Sequence, residues 1–312
     1  MVRMFAESIS VVVPVYNSEA SLPLLIQRLE PVLKEFQSAE VILVNDGSRD
    51  GSWVVVKDLV ARFDFVRGID LMRNYGQHNS LLCGIRSARN RVIVTIDDDM
   101  QNPPEEIPLL VAKLREGYDV VYGTPERETH GFLRDIASRI TKLALQAAMG
   151  AQTARKVSAF RAFRTPLREA FTSYRGPFVS VDVLLTWATT RFAAVAVKHD
   201  PRQLGQSGYT LGRLIAHAMN MMTGFSTLPL QVASIVGFAF TLFGMCTLLY
   251  VLVRYLLHGV AVQGFAFLAS LISIFSGAQL FALGVMGEYL SRMHFRMMER
   301  PPYAVRAKTY ED

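Results

Sequence analysis

Short apolar runs alternate with mixed segments over the first two thirds of the chain. Ser10–Val15 (SVVVPV), Glu40–Val44 (EVILV), Phe65–Asp70 (FVRGID) and Arg91–Ile96 (RVIVTI) are continuous and rich in β-branched residues, which predicts buried strands. Leu22–Phe36, Gly51–Phe63 and His78–Ala88 lie between them and predict helices. Apolar strands alternating with helices predict an α/β fold with a parallel sheet covered on both faces. Ligands of such sheets bind beyond the carboxyl ends of strands. Asp46 and the triplet Asp97–Asp99 both fall at such ends.

The pattern changes after Thr227. Val232–Val253 and Phe265–Gly287 contain no charged residue. Each is long enough to cross a hydrocarbon core of about 30 Å, which takes roughly 20 apolar residues. The linker Arg254–Gly264 joins them, so a transmembrane helical hairpin is expected. Arg213 precedes the hairpin and Arg292, Arg296 and Arg300 follow it, which predicts cytoplasmic termini. Phe132–Met149 and Thr210–Phe225 read as amphipathic basic helices, the kind that lie in the headgroup plane. The expected organisation is a cytosolic α/β domain over 1–227, with interfacial helices near 130–149 and 210–226. A hairpin over 228–291 and a cytosolic tail over 292–312 complete it.

Composition narrows the classes. The chain is 51% hydrophobic and 19% charged, with mean hydropathy +0.24, which is apolar for a soluble protein. The net charge of +6 fits nucleic acid, a phosphorylated substrate or an anionic membrane surface equally well. Two distant cysteines, Cys83 and Cys246, provide neither a disulfide framework nor zinc-ligand spacing. The N-terminal apolar run is too short for a signal peptide, so the first domain is expected in the cytosol.

The densest candidate chemistry is TIDDDMQNPPEE, residues 95–106. Like charges this close raise one another's pKa unless a cation or hydrogen-bond donors offset the repulsion. In an extended chain Asp97 and Asp99 share one side and Asp98 faces away. Two such carboxylates suit a hard divalent cation, Mg2+ or Mn2+, which could also hold the phosphates of a nucleotide diphosphate.

VVPVYN (12–17), VNDGSRDGS (44–52), RNYGQHNSLLCGI (73–85) and DDDMQNPPEEIPLLVAKLREGYDVVYG (97–123) occur in that order. Together they resemble the family 2 glycosyltransferases of the GT-A fold. They are most similar to the polyprenyl-phosphate type: dolichol-phosphate mannose synthases, undecaprenyl-phosphate glucosyltransferases and undecaprenyl-phosphate 4-deoxy-4-formamido-arabinose transferases. The closing LGVMGEYLSRMHFRMMERPPYAV (283–305) extends the likeness through the hairpin. The resemblance implies a nucleotide-sugar donor, UDP-linked, and a polyprenyl phosphate acceptor, undecaprenyl phosphate in a bacterial inner membrane. It implies no nucleic-acid partner and a homo-oligomer, a tetramer in relatives.

By the same resemblance Asp97, Asp99 and Gln101 fall on metal and diphosphate positions, and Asp98 lies near the nucleotide where relatives usually carry alanine. Asp46 falls on the residue that contacts the base, and Pro14 and Tyr16 on the wall of the base pocket. Arg134 and Ser138, in FLRDIAS, match the receiver of the acceptor phosphate, and Arg202 a phosphate clamp. His78 is expected to order the loop beside the nucleotide, because an ionised acceptor phosphate needs no base.

Three departures stand out. Ser18 replaces the usual Glu after Y-N, Arg155 or Lys156 stands where an Asp is expected, and Gly208 replaces a Lys. The reaction implied is inverting transfer of one hexose or pentose. The alternatives are a processive polysaccharide synthase, which lacks its Q-x-x-R-W signature here, and a catalytically silent lipid-phosphate binder or scaffold of the same fold.

Overall fold

The computed structural model describes residues 5–125, 157–176, 179–200, 227–258 and 264–310. The first half alternates strand and helix: β1 (Phe5–Val15), α1 (Leu22–Leu33), β2 (Phe36–Asn45), α2 (Ser52–Arg62), β3 (Val66–Leu71), α3 (Gln77–Ser87) and β4 (Val92–Thr95). A 3-10 turn, Pro104–Glu106, leads into α4 (Ile107–Arg115) and β5 (Val120–Pro125). Then come β6 (Arg161–Arg164), α5 (Val181–Ala188) and β7 (Phe192–Val197). Two long helices, α6 (Leu228–His258) and α7 (Phe265–Met297), precede β8 (Val305–Lys308).

Among the described residues the strands form one sheet in the order β7-β5-β6-β4-β1-β2-β3-β8. The core pairs β1–β2, β1–β4 and β2–β3 are parallel, as the alternating pattern predicts. β6 runs antiparallel between β4 and β5, and β8 runs antiparallel along β3. The sheet is therefore mixed. Antiparallel strands need no crossover helix, which lets segments as short as RAFR and VRAK join it.

Both faces of the central strands are covered. Val11, Val13 and Val15 pack with Leu22, Leu25, Val56 and Ile107 from α1, α2 and α4. Val12, one residue out of phase, packs on the opposite face with Leu81, Leu82 and Ile85 of α3 and Leu184 of α5. This two-sided burial is why β1 reads as a continuous apolar run rather than an alternating one. α1 stops at Leu33 instead of reaching Phe36. Phe36 instead opens β2, where its ring stacks on Phe5 at 4.9 Å.

β6 brings a buried ion pair into the core. Arg161, 1% exposed, pairs with Asp182 at the start of α5 and donates from Nε to Thr95 Oγ1 at 3.0 Å. Tyr122 Oη also donates to Asp182, at 3.1 Å. The pair ties β4, β5, β6 and α5 together just below the acidic end of β4.

Within α6, Pro229–Leu257 is long and apolar enough to cross a membrane, its most apolar stretch having a mean hydropathy of 2.2 and no buried residue. α7 follows, and the rings of Phe240 and Phe275 meet edge-on at 5.6 Å between the two helices. The chain then returns to the sheet edge through β8. The expected amphipathic helices, Phe132–Met149 and Thr210–Phe225, lie outside the described residues.

α3 sits directly on the sheet at Gly84, where an added Cβ would collide with the Val12 side chain and come within 3.1 Å of Val44 Cγ2. Gly84→Ala is expected to lift α3 and cost about 1–3 kcal/mol by overpacking. Thermal unfolding in detergent micelles checks this, and an unchanged midpoint would contradict the packing.

Candidate active site

The parallel register sets the carboxyl ends of β1, β2 and β4 side by side. Val12 pairs with Thr95, Pro14 with Val44 and Val15 with Asn45. The loops leaving these ends enclose a cleft of about 240 Å3. Pro14, Tyr16, Asp46, Gln77 and all three of Asp97–Asp99 line it. Six of the residues expected to bind the nucleotide or metal are thus brought together.

Asp46 is 3% exposed and ends the β2 turn. Its carboxylate accepts N–H bonds from Tyr75 at 2.7 Å and Gly76 at 2.8 Å. Burial pushes its pKa up, and those two N–H donors pull it back down. Gly76 has φ 94°, a left-handed conformation that favours glycine. Asp46 therefore fixes the Tyr75–Gly76 turn that forms the opposite wall of the cleft. His78, near the start of α3, accepts the Val181 N–H of α5 at its Nδ1, at 3.4 Å.

The aspartates crowd the other side. The chain turns at Asp98 and Asp99 and passes through Met100, buried with φ 62°. A left-handed methionine is strained, and such strain collects at functional sites. The extended-chain expectation that Asp98 faces away is corrected here. The period-two rule ends with β4 at Thr95, and after the turn Asp98 lines the cleft beside its neighbours. Ser18 Oγ donates a short hydrogen bond to Asp98, so the departure at position 18 meets the departure at position 98. Glu19 serves elsewhere, accepting the Gly51 N–H at 2.9 Å.

Burial raises the Asp97 carboxyl to about 7, with the charges of Asp99 and then Asp98 adding to the rise. Asp98 is raised to about 6, again chiefly by burial, while the Ser18 hydroxyl opposes the shift. Two cationic or polar groups relieve Asp97: Gln77 Nε2 donates to it at 2.7 Å, and the positive charge of Arg161 lowers it from behind. Carboxylates desolvated and crowded in this way are the groups that a hard divalent cation stabilises in their charged form. Among the described residues no three or more His, Cys, Asp or Glu side chains converge as a closed metal cage. An open site of two carboxylates, completed by the oxygens of a diphosphate, fits Mg2+ or Mn2+ chemistry.

Gln101 does not line the cleft. Its backbone N–H donates to Asp99 at 3.1 Å and its carbonyl accepts the Asp200 N–H at 2.9 Å. Arg134, Ser138 and Arg202 lie outside the described residues, as do Arg155, Lys156 and Gly208. Gln77, Ser18 and Arg161 are contributors not assigned from the sequence. Gln77 stands inside the quoted RNYGQH stretch, and Arg161 lies in FRAFR, whose pairing with β4 is long-range and carries no local signal.

Residues 10–171 match the profile described as glycosyl transferase family 2. The chain is 36% identical over 301 residues to an undecaprenyl-phosphate 4-deoxy-4-formamido-L-arabinose transferase of Pseudomonas paraeruginosa (strain DSM 24068 / PA7), covering 95% of this chain and 89% of that protein. It is equally similar, at 36% identity with 95% and 91% covered, to the enzyme of that name from Shewanella sediminis (strain HAW-EB3). Among solved structures it resembles glucosyl-3-phosphoglycerate synthase of Mycobacterium tuberculosis, crystallised with Mn2+ and UDP, with a TM-score of 0.53 and 20% identity. That match covers 70% of this chain and 78% of the synthase and speaks to the fold alone. With strand ends, acidic turn and sequence relatives in agreement, the chain belongs to glycosyl transferase family 2 and is a glycosyltransferase.

Proposed function

We propose that the protein transfers one sugar from a UDP-linked nucleotide sugar to the phosphate of undecaprenyl phosphate, at the cytoplasmic face of a bacterial inner membrane. The observation that carries this reading is the convergence of Asp46 and Asp97–Asp99 on one cleft at the strand ends. It is supported by relatives that act on undecaprenyl phosphate and by a helix able to span a bilayer. The fold neighbour crystallised with Mn2+ and UDP supports the metal and nucleotide.

In this reading Tyr16 and Pro14 wall the base, and Asp46 holds the Tyr75–Gly76 turn against it. Asp97 and Asp99 hold a divalent cation, which when bound neutralises charge gathering on the leaving diphosphate. Arg134, Ser138 and Arg202 hold the acceptor phosphate within attack distance, as arginine forks do for phosphate oxygens. A phosphate oxygen bonds to the anomeric carbon as the bond to the nucleoside diphosphate breaks on the opposite face, so the centre inverts. The acceptor enters already ionised and no base is required. α6 and α7 form the hairpin that keeps the site beside an acceptor whose tail stays in the bilayer. The functional unit is a homo-oligomer, a tetramer by analogy with relatives.

Membranes carrying the protein, incubated with undecaprenyl phosphate and a panel of UDP-sugars, are expected to yield one lipid-extractable glycolipid by mass spectrometry. Asp99→Ala and Arg134→Ala should each lower its formation by at least about 100-fold. A polymer in place of the glycolipid would indicate a processive synthase, and full activity in both variants would refute the assignment of the site.

The raised carboxyls make a second prediction, for the metal-free protein. A carboxyl at about 7 in the folded state and near 4 when unfolded binds its proton more tightly folded, so folding stability rises as pH falls through 7. Asp97→Asn removes this partly buried charge and is expected to raise Tm at pH 8 by about 3 °C while abolishing transfer. Calorimetry at pH 8 and pH 5 checks both; a variant less stable than the parent at pH 8 would count against a repulsive acidic site.

A further inference from the structure

The C-terminal segment reaches the loop beside the donor cleft at Met72. Met72, which opens the loop carrying Tyr75 and Gly76 into α3, is gripped twice. Its N–H donates to the Ala304 carbonyl at 2.9 Å, and its carbonyl accepts from Arg306 Nη2 at 2.7 Å. The other arm of the same guanidinium, Nη1, lies 3.4 Å from the Asp70 carboxylate. Asp70 is 2% exposed, and a carboxylate this deep is costly to bury unless it is hydrogen-bonded and paired.

From Asp70 the bonds continue inward. Asn45, 3% exposed, donates from Nδ2 to Asp70 at 2.7 Å and accepts the Ser48 N–H at 3.4 Å. Ser48 Oγ accepts the Asn17 N–H at 3.0 Å, beside Tyr16 in the cleft wall. The two loops also press on each other, since a Cβ at Gly47 would meet the Arg73 and Asn74 backbone at 2.6 Å. One fork thus supports two segments that lead to the cleft: the 72–76 loop directly at Met72, and the 45–48 turn through Asp70 and Asn45. Arg306 stands only nine residues after the end of α7 at Met297.

We propose that Arg306 is a positioning residue for nucleotide binding, and that it makes the C-terminal segment a working part of the donor cleft, linked to the membrane anchor. The proposal rests on the donor reading above for its affinity arm only. It does not require Arg306 to touch substrate. A planar fork presents N–H groups to two acceptors set apart in a fixed geometry, whereas a lysine ammonium is a compact point charge without that fork.

The test uses the full chain in lipid nanodiscs, with Arg306→Ala, Arg306→Lys and, as a control on strand β8, Lys308→Ala. Hydrogen exchange at the Tyr75 and Gly76 amides, both bonded to Asp46, is expected to quicken by about tenfold in Arg306→Ala and less in Arg306→Lys, with no change in Lys308→Ala. Calorimetric titration with UDP and Mn2+ should give a Kd about tenfold weaker in Arg306→Ala, the donor KM rising likewise and kcat staying within about twofold. If Lys308→Ala produces the same changes, the effect is general loosening of β8 and the proposal fails. It fails equally if exchange at Tyr75 and Gly76 is unaltered in Arg306→Ala. If the parent protein binds no UDP at all, the donor reading falls, and the exchange measurement still decides the role of Arg306.

Discussion

Three carboxylates at the end of one four-residue strand repel one another, and the surrounding structure is organised around that repulsion. Burial and this crowding push the Asp97 and Asp98 carboxyls up to about 7 and about 6, above the usual carboxylate range. A fold that gained nothing from this arrangement would dissipate it with a single Asp→Asn or Asp→Ser change. Instead the protein supplies partial relief from fixed donors: Gln77 on Asp97, the Ser18 hydroxyl on Asp98, the Gln101 N–H on Asp99 and the buried charge of Arg161 behind them. The relief is incomplete, and the remainder is suited to a cation and the phosphates it carries.

The sheet makes this crowding possible. Two-sided burial of β1, β2 and β4 fixes their register, and a fixed register puts Asp46 and the aspartates at one rim. The Arg161–Asp182 pair shows how costly groups are recruited in support. A buried ion pair contributes little net stability, yet removing either partner strands the other. Here it holds a positive charge below Asp97 and anchors α5, whose first N–H meets His78. The cleft, the ion pair and the loop that closes the far wall are therefore one connected polar network.

Much of this was legible in the chain. The apolar runs at 10–15, 40–44, 65–70 and 91–96 became β1 to β4, and the charge-free stretches became α6 and α7, because both signals are local and long. β6 and β8 were not legible. Four residues carry almost no periodicity, and their partners lie tens to hundreds of positions away. Asp98 was misread because a rule for extended chain was carried past the residue where extension ends. Ser18 is only a departure from the family pattern in the sequence, and its hydrogen bond to Asp98 is visible only in the fold. Arg306 is separated from Asp70 by 236 positions, and no sequence pattern links them.

The acidic rim is expected to bind a nucleoside diphosphate only together with a divalent cation. Calorimetric titration of UDP into the full-length protein, with and without Mn2+ and with Asp99→Asn alongside, tests it most directly. The expected result is binding in the presence of Mn2+ that weakens by at least about 30-fold on chelation or in Asp99→Asn, a cost of roughly 2 kcal/mol. UDP binding that is equally tight without the metal, or undiminished in Asp99→Asn, would contradict it.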